Sequence, residues 1–332
     1  MKKKNLFIIA EVGSVHDGSL GNAMNLIKTA KECGADAVKF QTHIAKEETL
    51  KDAISPGYFK LENRYDYFKR TSFNFSQLKK LKNFADKIGI TFFSSPFSIK
   101  AYNILKKLNV DFIKIASGEV TNIPLLKKIS KTNKTIFLST GMSSWNEIDE
   151  AVNIFKKNKL IIMQCTSMYP CPPNKVAINI IKKFKEKYNL SLGFSDHTKS
   201  NVAAIMALSL GARYFEKHIT LSKKMYGSDA MNSLEPEEFK LYCSQLREAL
   251  IIQNNPGDKK INKYLKKIKI IFEKKIIIKK NKKKNSIIKL ADLDFKKSSK
   301  GINANKYKKI IGKKLKNNIT KNSVLDLKDL YD

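Results

Sequence analysis

Two histidines stand at matching points of consecutive units. Residues 192–194 run into Ser195-Asp196-His197, and Tyr214-Phe215 runs into Glu216-Lys217-His218. A helix-length segment separates the two runs, so each reads as a strand that delivers an imidazole at its C-terminal end, where parallel sheets keep their chemistry. Side chains alternate along a strand, which puts Ser195 on the face of His197 and Glu216 on the face of His218. Strands joined by one helix are usually neighbours, ~4.8 Å apart, so both imidazoles come within reach of a single divalent cation. Either histidine alone reads as an ordinary strand-end residue. In a chain with only four histidines, the pair reads as a metal site.

The ends of the other strand-like runs carry groups that bind anions or move protons. In order they are Glu11; Lys39 and Gln41; Ser94 and Ser95; Lys114, Ser117 and Glu119; Ser139; Ser167 and Tyr169, with Asp229 in a loop after the last run. Lysines supply charge, and serine hydroxyls and strand-end amides donate hydrogen bonds, a combination suited to a phosphate and a carboxylate. A metal beside such a pocket suits the polarisation of an aldehyde oxygen. Lys114 and Ser117 fall on opposite sides by strand alternation, so one of them is expected to contribute from a loop.

Eight runs must position these groups: 6–13, 37–43, 91–97, 112–118, 135–141, 160–167, 191–198 and 214–220. Amphipathic, lysine-rich helical segments separate most of them, and eight βα units predict a (β/α)8 TIM barrel. An open doubly wound sheet fits less well. No GxGxxG follows the first run, and polar tips occur on all the strands rather than at one switch point. Residues 44–75 interrupt the rhythm with a charged, aromatic insertion (Tyr58, Phe59, Tyr65, Tyr67, Phe68), expected to pack as a lid or rim over the barrel mouth. The eighth helix is expected after Ser233 as N-cap and Pro236 in its first turn. The barrel domain then spans 1–253 and a linker 254–271. A small β-rich domain of about 60 residues, near the lower limit for a core of its own, covers 272–332, with β-like runs at 275–279 and 286–290.

The formal charge is +34, but 60 of the 64 basic residues are lysine and only four are arginine. Nucleic-acid surfaces lean on arginine forks, so a solvated lysine coat accounts for the charge better than nucleic-acid binding does. No apolar run approaches the ~18 residues of a membrane span. The apolar part of the N-terminal stretch ends at Glu11, too soon for a signal peptide. Cysteines 33, 165, 171 and 243 show no paired spacing, which reads as reduced thiols in a cytoplasmic protein.

The runs IIAEVGSVHDGS, VKFQTH, SSPF, KIASGEVTNIPLL, LSTGM, QCTSMYP, GFSDHT, EKHIT and GSDA with SLEPEE resemble, in order and spacing, the N-acetylneuraminate (sialic acid) synthase family. The match covers residues 6–250. Residues 272–332 resemble the antifreeze-like (SAF) module that ends the chains of that family. The resemblance implies condensation of phosphoenolpyruvate with an N-acetylmannosamine-type sugar to a nine-carbon 2-keto acid, with release of phosphate. It places a divalent metal on His197 and His218, manganese ahead of magnesium or cobalt. Phosphoenolpyruvate falls to Lys39, Gln41, Ser95, Lys114, Ser117, Glu119, Ser139 and Ser195, and the sugar to Tyr169 and Asp229. Glu11 is placed by the reacting carbons as the catalytic residue. In that family the module caps the partner's barrel in a swapped homodimer.

The sequence departs from the family at three points. Val15 replaces the asparagine before His16, and Gln164 stands where a histidine is usual. Lys297 takes the place of the arginine that contacts the sugar, exchanging a planar fork for a point charge. Two rivals remain. One is another phosphoenolpyruvate-dependent 3-deoxy-ulosonate synthase, which would want an arginine-rich pocket for a second phosphate. The other is a basic nucleic-acid-binding protein on a retired barrel.

Overall fold

The computed structural model describes residues 6–55, 62–227 and 229–331. The chain divides into two compact units, Met1–Pro256 and Gly257–Asp332. In the first, β1 (Phe7–Gly13), β2 (Ala37–Thr42), β3 (Thr91–Pro96), β4 (Phe112–Ile115), β5 (Thr135–Ser139), β6 (Leu160–Cys165), β7 (Ser191–Asp196) and β8 (Tyr214–His218) close into a barrel in sequence order. All pairings are parallel, and β8 returns to pair with β1. A helix follows each strand, so the unit is a (β/α)8 barrel.

Strand alternation builds the interior in layers. The β1–β8 register pairs Phe7 with Tyr214, Ile9 with Glu216, and Glu11 with His218. The lowest layer is aromatic: Phe137 packs against Phe7, Phe93, Phe112 and Tyr214 with centroids 5.4–6.4 Å apart. These rings plug the floor, and the polar groups stand above them, toward the strand C-termini. The alternate residues, among them Ile8, Ala10, Val38, Phe40 and Phe92, face outward and are buried under the helices in one continuous core.

The helices start where the sequence supplies caps. Ser19, Asn74, Ser98, Asn122 and Ser144 each accept a hydrogen bond from a first-turn amide, satisfying a donor that the helix leaves unpaired. The last barrel helix, Pro236–Asn254, differs from expectation. Its N-cap is Glu235, whose backbone N–H donates to Glu238 Oε2 at 2.9 Å. Ser233 instead donates its hydroxyl to the carbonyl of Asp229, tying down the β8 loop.

The insertion after β2 forms the helices Ala45–Glu48 and Arg64–Thr71, whose Ala45, Tyr67 and Phe68 make a small apolar cluster. Arg70 bonds Asp17 in the β1 loop at 2.8 Å and Glu62 at 2.6 Å, so the insertion is fastened to the mouth side of β1. Tyr58 and Phe59 lie outside the described residues.

The second unit pairs β9 (Lys274–Ile278) antiparallel with β10 (Leu293–Lys297) around a core of Ile276, Ile278, Ile288, Leu293, Ile302, Leu315, Leu325 and Leu330. The run 286–290 makes only an isolated bridge at Ile287 before a 3-10 turn at Leu290–Asp292. Gly301 has φ +102°, and a Cβ there would lie 2.1 Å from Val324, so this turn admits glycine alone. No helix among the described residues is long and apolar enough to cross a membrane.

Candidate active site

The barrel mouth holds a buried network of charge. Lys39 Nζ lies 2.7 Å from Glu11 Oε2, 3.2 Å from Ser95 Oγ and 3.8 Å from Glu216 Oε2. Lys114 Nζ reaches both oxygens of Glu216, at 2.8 and 2.9 Å, and Ser195 Oγ donates to Glu216 Oε1 at 3.1 Å. Gln41 Nε2 donates to Glu11 Oε1 at 2.9 Å. Glu11, Lys39, Lys114 and Glu216 are each 5% exposed or less, so their charges compensate one another instead of being solvated.

The two lysines differ in kind. Burial works against charge on Lys39, but Glu11 and Glu216 outweigh it and hold the ammonium above the usual lysine range. Burial pulls Lys114 below that range, and Glu216 opposes it only in part. Burial alone would raise Glu216, yet Lys114 and Lys39 bring it down to about 2. Glu216 therefore sits as a fixed anion between two cations, the arrangement that a bound substrate anion would share or replace.

At the C-terminal end of β5, Ser139 Oγ is buried and finds no hydrogen-bond partner among the described residues. An unpaired buried hydroxyl costs ~1–3 kcal/mol, a cost that a ligand oxygen would relieve. Ser117 lies in the 3-10 turn Ser117–Glu119 beyond the end of β4, so strand alternation no longer governs it. Its Oγ accepts from Gly141 N at 3.0 Å. Glu119 shares that turn, and burial raises its carboxyl. Ser95 and Ser94 separate by face: Ser95 meets Lys39 inside the barrel, whereas Ser94 is bonded to Thr42 and to the carbonyl of Phe40. Gln164 donates to the carbonyl of Val176, outside this network.

His197 and His218 come together, their ring centroids 5.8 Å apart. His197 Nδ1 is 2.8 Å from the carbonyl of Thr166, which fixes its proton there and leaves the Nε2 lone pair available. His218 Nδ1 is buried without a partner among the described residues, and burial lowers this imidazole below its ordinary value, favouring the neutral ring. Two imidazoles with these open positions fit a divalent cation that takes its other ligands from substrate and solvent. Among the described residues, no group of three or more His, Cys, Asp or Glu forms a ready-made cage. Tyr169 tilts over His197 at 4.1 Å and stands edge-on to His218 at 6.0 Å. Asp229 Oδ2 lies 3.5 Å from Ser14 N in the β1 loop. Gly13 has φ +55°, and a Cβ on it would lie 2.5 Å from Asp229 Oδ2, so bare backbone is what admits the carboxylate.

Thirteen of the expected site residues thus fall on the tips or loops of one barrel mouth. The fourteenth, Lys297, belongs to the second unit, at the end of β10, exposed, with Nζ 5.0 Å from the ring of Phe272. The sequence places Glu216 on the face of His218 but leaves its role undecided, and it does not single out His43, Glu48 or Cys165 as site residues. Cys165 Sγ lies 3.7 Å from His197 Nδ1. His43 carried a usable signal, since Lys39, Gln41 and His43 continue one period-two series. Three of the four arginines are engaged elsewhere: Arg70 with Asp17 and Glu62, Arg213 with the carbonyls of Leu208 and Ala212, and Arg247 with Gly34 and Asp36. The fourth, Arg64, stacks over Phe68 in the insertion.

A model of the NeuB family matches residues 26–257. The N,N'-diacetyllegionaminic acid synthase of Campylobacter jejuni serotype O:2 is 38% identical over 93% of this chain and 96% of its own length. The pseudaminic acid synthase of Campylobacter jejuni serotype O:23/36 is 33% identical over 95% of this chain and 94% of its own. A solved N-acetylneuraminic acid (sialic acid) synthetase from Leptospira borgpetersenii serovar Hardjo-bovis, in complex with citrate, superposes with a TM-score of 0.70 at 31% identity. That match covers 79% of this chain and 90% of the other.

Proposed function

The chain belongs to the NeuB family, and from that premise we propose that it condenses phosphoenolpyruvate with an N-acylated aldose to a nine-carbon 2-keto-3-deoxy acid, releasing phosphate. The single observation that carries this reading is the buried Lys39–Glu216–Lys114 cluster, with the unpaired Ser139 hydroxyl beside it in the same barrel mouth. Two cations, one fixed anion and the free Ser139 hydroxyl form a pocket for a small molecule with a phosphate and a carboxylate.

Lys39 and Lys114 bind the phosphate and carboxylate of phosphoenolpyruvate, with Ser95, Ser139 and Ser195 donating hydrogen bonds and Ser117, Glu119 and Gln41 bounding the pocket. Tyr169 and Asp229 position the sugar. His197 and His218 would hold a divalent metal, manganese in our reading, which when bound polarises the sugar aldehyde. In the reaction a C–C bond forms between C3 of phosphoenolpyruvate and the aldehyde carbon, water adds at C2, and the C2–O bond to phosphate breaks. Glu11, between Lys39 and Gln41, takes a proton from the adding water; the former aldehyde oxygen takes up a proton and stays on the product as a hydroxyl, the water oxygen becomes the C2 carbonyl oxygen, and phosphate leaves with the second water proton.

A phosphorylated aldose is disfavoured as acceptor, because Arg70, Arg213 and Arg247 are engaged with Asp17 and Glu62, with the carbonyls of Leu208 and Ala212, and with Gly34 and Asp36, which leaves a second phosphate Arg64 alone rather than an arginine-rich pocket. For the second unit, we read residues 272–332 as an SAF module that brings Lys297 to the sugar of a partner chain in a swapped dimer. Phosphate release measured against a panel of N-acylated aldoses tests the activity. Mixing a Lys297→Ala chain with a Glu11→Gln chain tests the swap: activity should return once subunits exchange, and its absence after proven exchange would contradict it.

A further inference from the structure

Behind Glu11 a hydrogen-bond chain leaves the reaction centre and ends in a second buried carboxylate. Gln41 Nε2 donates to Glu11 Oε1 at 2.9 Å, Gln41 Oε1 lies 3.0 Å from His43 Nε2, and His43 Nδ1 lies 2.7 Å from Glu48 Oε1. The His43 and Glu48 side chains are both 4% exposed. His43 is held flat between Phe68, centroid 3.6 Å away, and Phe97, 4.1 Å away.

The chemistry of each link allows one distribution of protons. Glu11 Oε2 faces the Lys39 ammonium at 2.7 Å, so Glu11 is a carboxylate and its other oxygen needs a donor. That requirement turns the amide nitrogen of Gln41 toward Glu11 and the amide oxygen toward His43. An amide oxygen only accepts, so His43 Nε2 carries a proton. Glu48 also accepts, so Nδ1 carries one too, because an imidazole holds a shared proton more tightly than a carboxylate does. The ring is then an imidazolium, paired with Glu48 and flanked by two π faces that favour a cation. The other titratable or charged groups near the pair are Glu119 in the β4 loop, Arg64 on the helix Arg64–Thr71, and the neutral His16 in the β1 loop.

We propose that His43 is a positioning residue which, charged and held by Glu48, fixes the Gln41 amide so that its NH₂ faces Glu11. If the ring lost its Nε2 proton, the amide would turn over and set an oxygen against the carboxylate. Glu11 would then lose a donor. That Glu11 is the group served during turnover rests on the function proposed above; the protonation of His43 does not.

The test has a spectroscopic arm and a kinetic arm. In ¹⁵N-histidine-labelled wild-type enzyme at pH 7, the His43 signals, assigned by their loss in His43→Phe, should show both ring nitrogens protonated. A bare Nε2 overturns the proposal. In the kinetic arm, His43→Phe keeps the aromatic stack but removes the donor, and should lower kcat by about tenfold with a smaller change in the KM for phosphoenolpyruvate. Glu48→Gln offers an amide donor to Nδ1, so a neutral ring keeps its single proton on Nε2. This variant should retain most of kcat while losing the alkaline limb of the wild-type pH profile. An unchanged pH profile in Glu48→Gln together with wild-type kcat in His43→Phe overturns the proposal. A doubly protonated ring in an enzyme that releases no phosphate with any sugar would leave the His43 assignment standing and sink the proposed reaction instead.

Discussion

Lys114 and Glu216, 102 residues apart in sequence, meet inside the barrel with Nζ 2.8 Å from one carboxylate oxygen and 2.9 Å from the other. Glu216 also faces Lys39 at 3.8 Å, so one carboxylate balances two buried ammonium groups. Glu216→Ala would leave both without their shared partner. Removing one side of a buried pair typically costs about 3–5 kcal/mol, so this variant should unfold at much lower denaturant concentration than wild type. Thermal and urea unfolding check this; unchanged stability would mean that solvent already screens the cluster.

Lys39 and Lys114 are the cations we assign to phosphoenolpyruvate. Losing one charge-assisted contact of ~1.4 kcal/mol corresponds to about tenfold, so Lys39→Ala and Lys114→Ala should each lower kcat/KM for phosphoenolpyruvate by at least that factor. The KM for the sugar should move less. Wild-type kinetics in both variants would take phosphoenolpyruvate out of this pocket.

His197 and His218 make metal dependence testable. Chelator treatment should abolish phosphate release, and added Mn²⁺ should restore it. His218→Ala should bind less than one equivalent of metal in equilibrium dialysis whether or not it turns over. Full activity in metal-stripped enzyme would contradict the assignment.

His16 gives a pH-dependent contribution to stability. Burial first, and His43 second, lower its imidazole from the ordinary value of 6.5 to about 3. Between these values the unfolded chain binds a proton that the folded protein refuses, so stability falls as pH drops from 6.5 toward 3. Above 6.5 neither state binds it and the effect vanishes. His16→Gln keeps an acceptor for the Gly18 N–H, which bonds His16 Nδ1 at 3.0 Å, and removes the titration. Wild-type stability should therefore lose up to ~1.4 kcal/mol per pH unit more than this variant in that window, read from urea unfolding at pH 4–6. Parallel curves would show that the buried ring already takes up the proton.

Much of the barrel was legible because its strands are buried on both sides and their polar residues crowd toward one end. Alternation alone predicts that Glu11 and His218 lie inside, and the β1–β8 register brings them level. The partners of Glu216 were not legible. Its contact with Lys114 crosses the barrel, and which tips face each other depends on closure and stagger, which no local period encodes. His43 and Glu48 were lost for another reason: Glu48 sits in the insertion, where the helix Ala45–Glu48 is a single turn without a side-chain cap. The expected cap at Ser233 failed because its hydroxyl is used by Asp229 and the helix begins two residues later.

The most direct test uses phosphoenolpyruvate carrying ¹⁸O in the oxygen that bridges C2 and phosphorus. If water adds at C2 and the C2–O bond breaks, the released phosphate should carry the label, only when an N-acylated aldose is present, and in equal amount with a nine-carbon keto acid. Unlabelled phosphate, or labelled phosphate released without any sugar, would contradict the account.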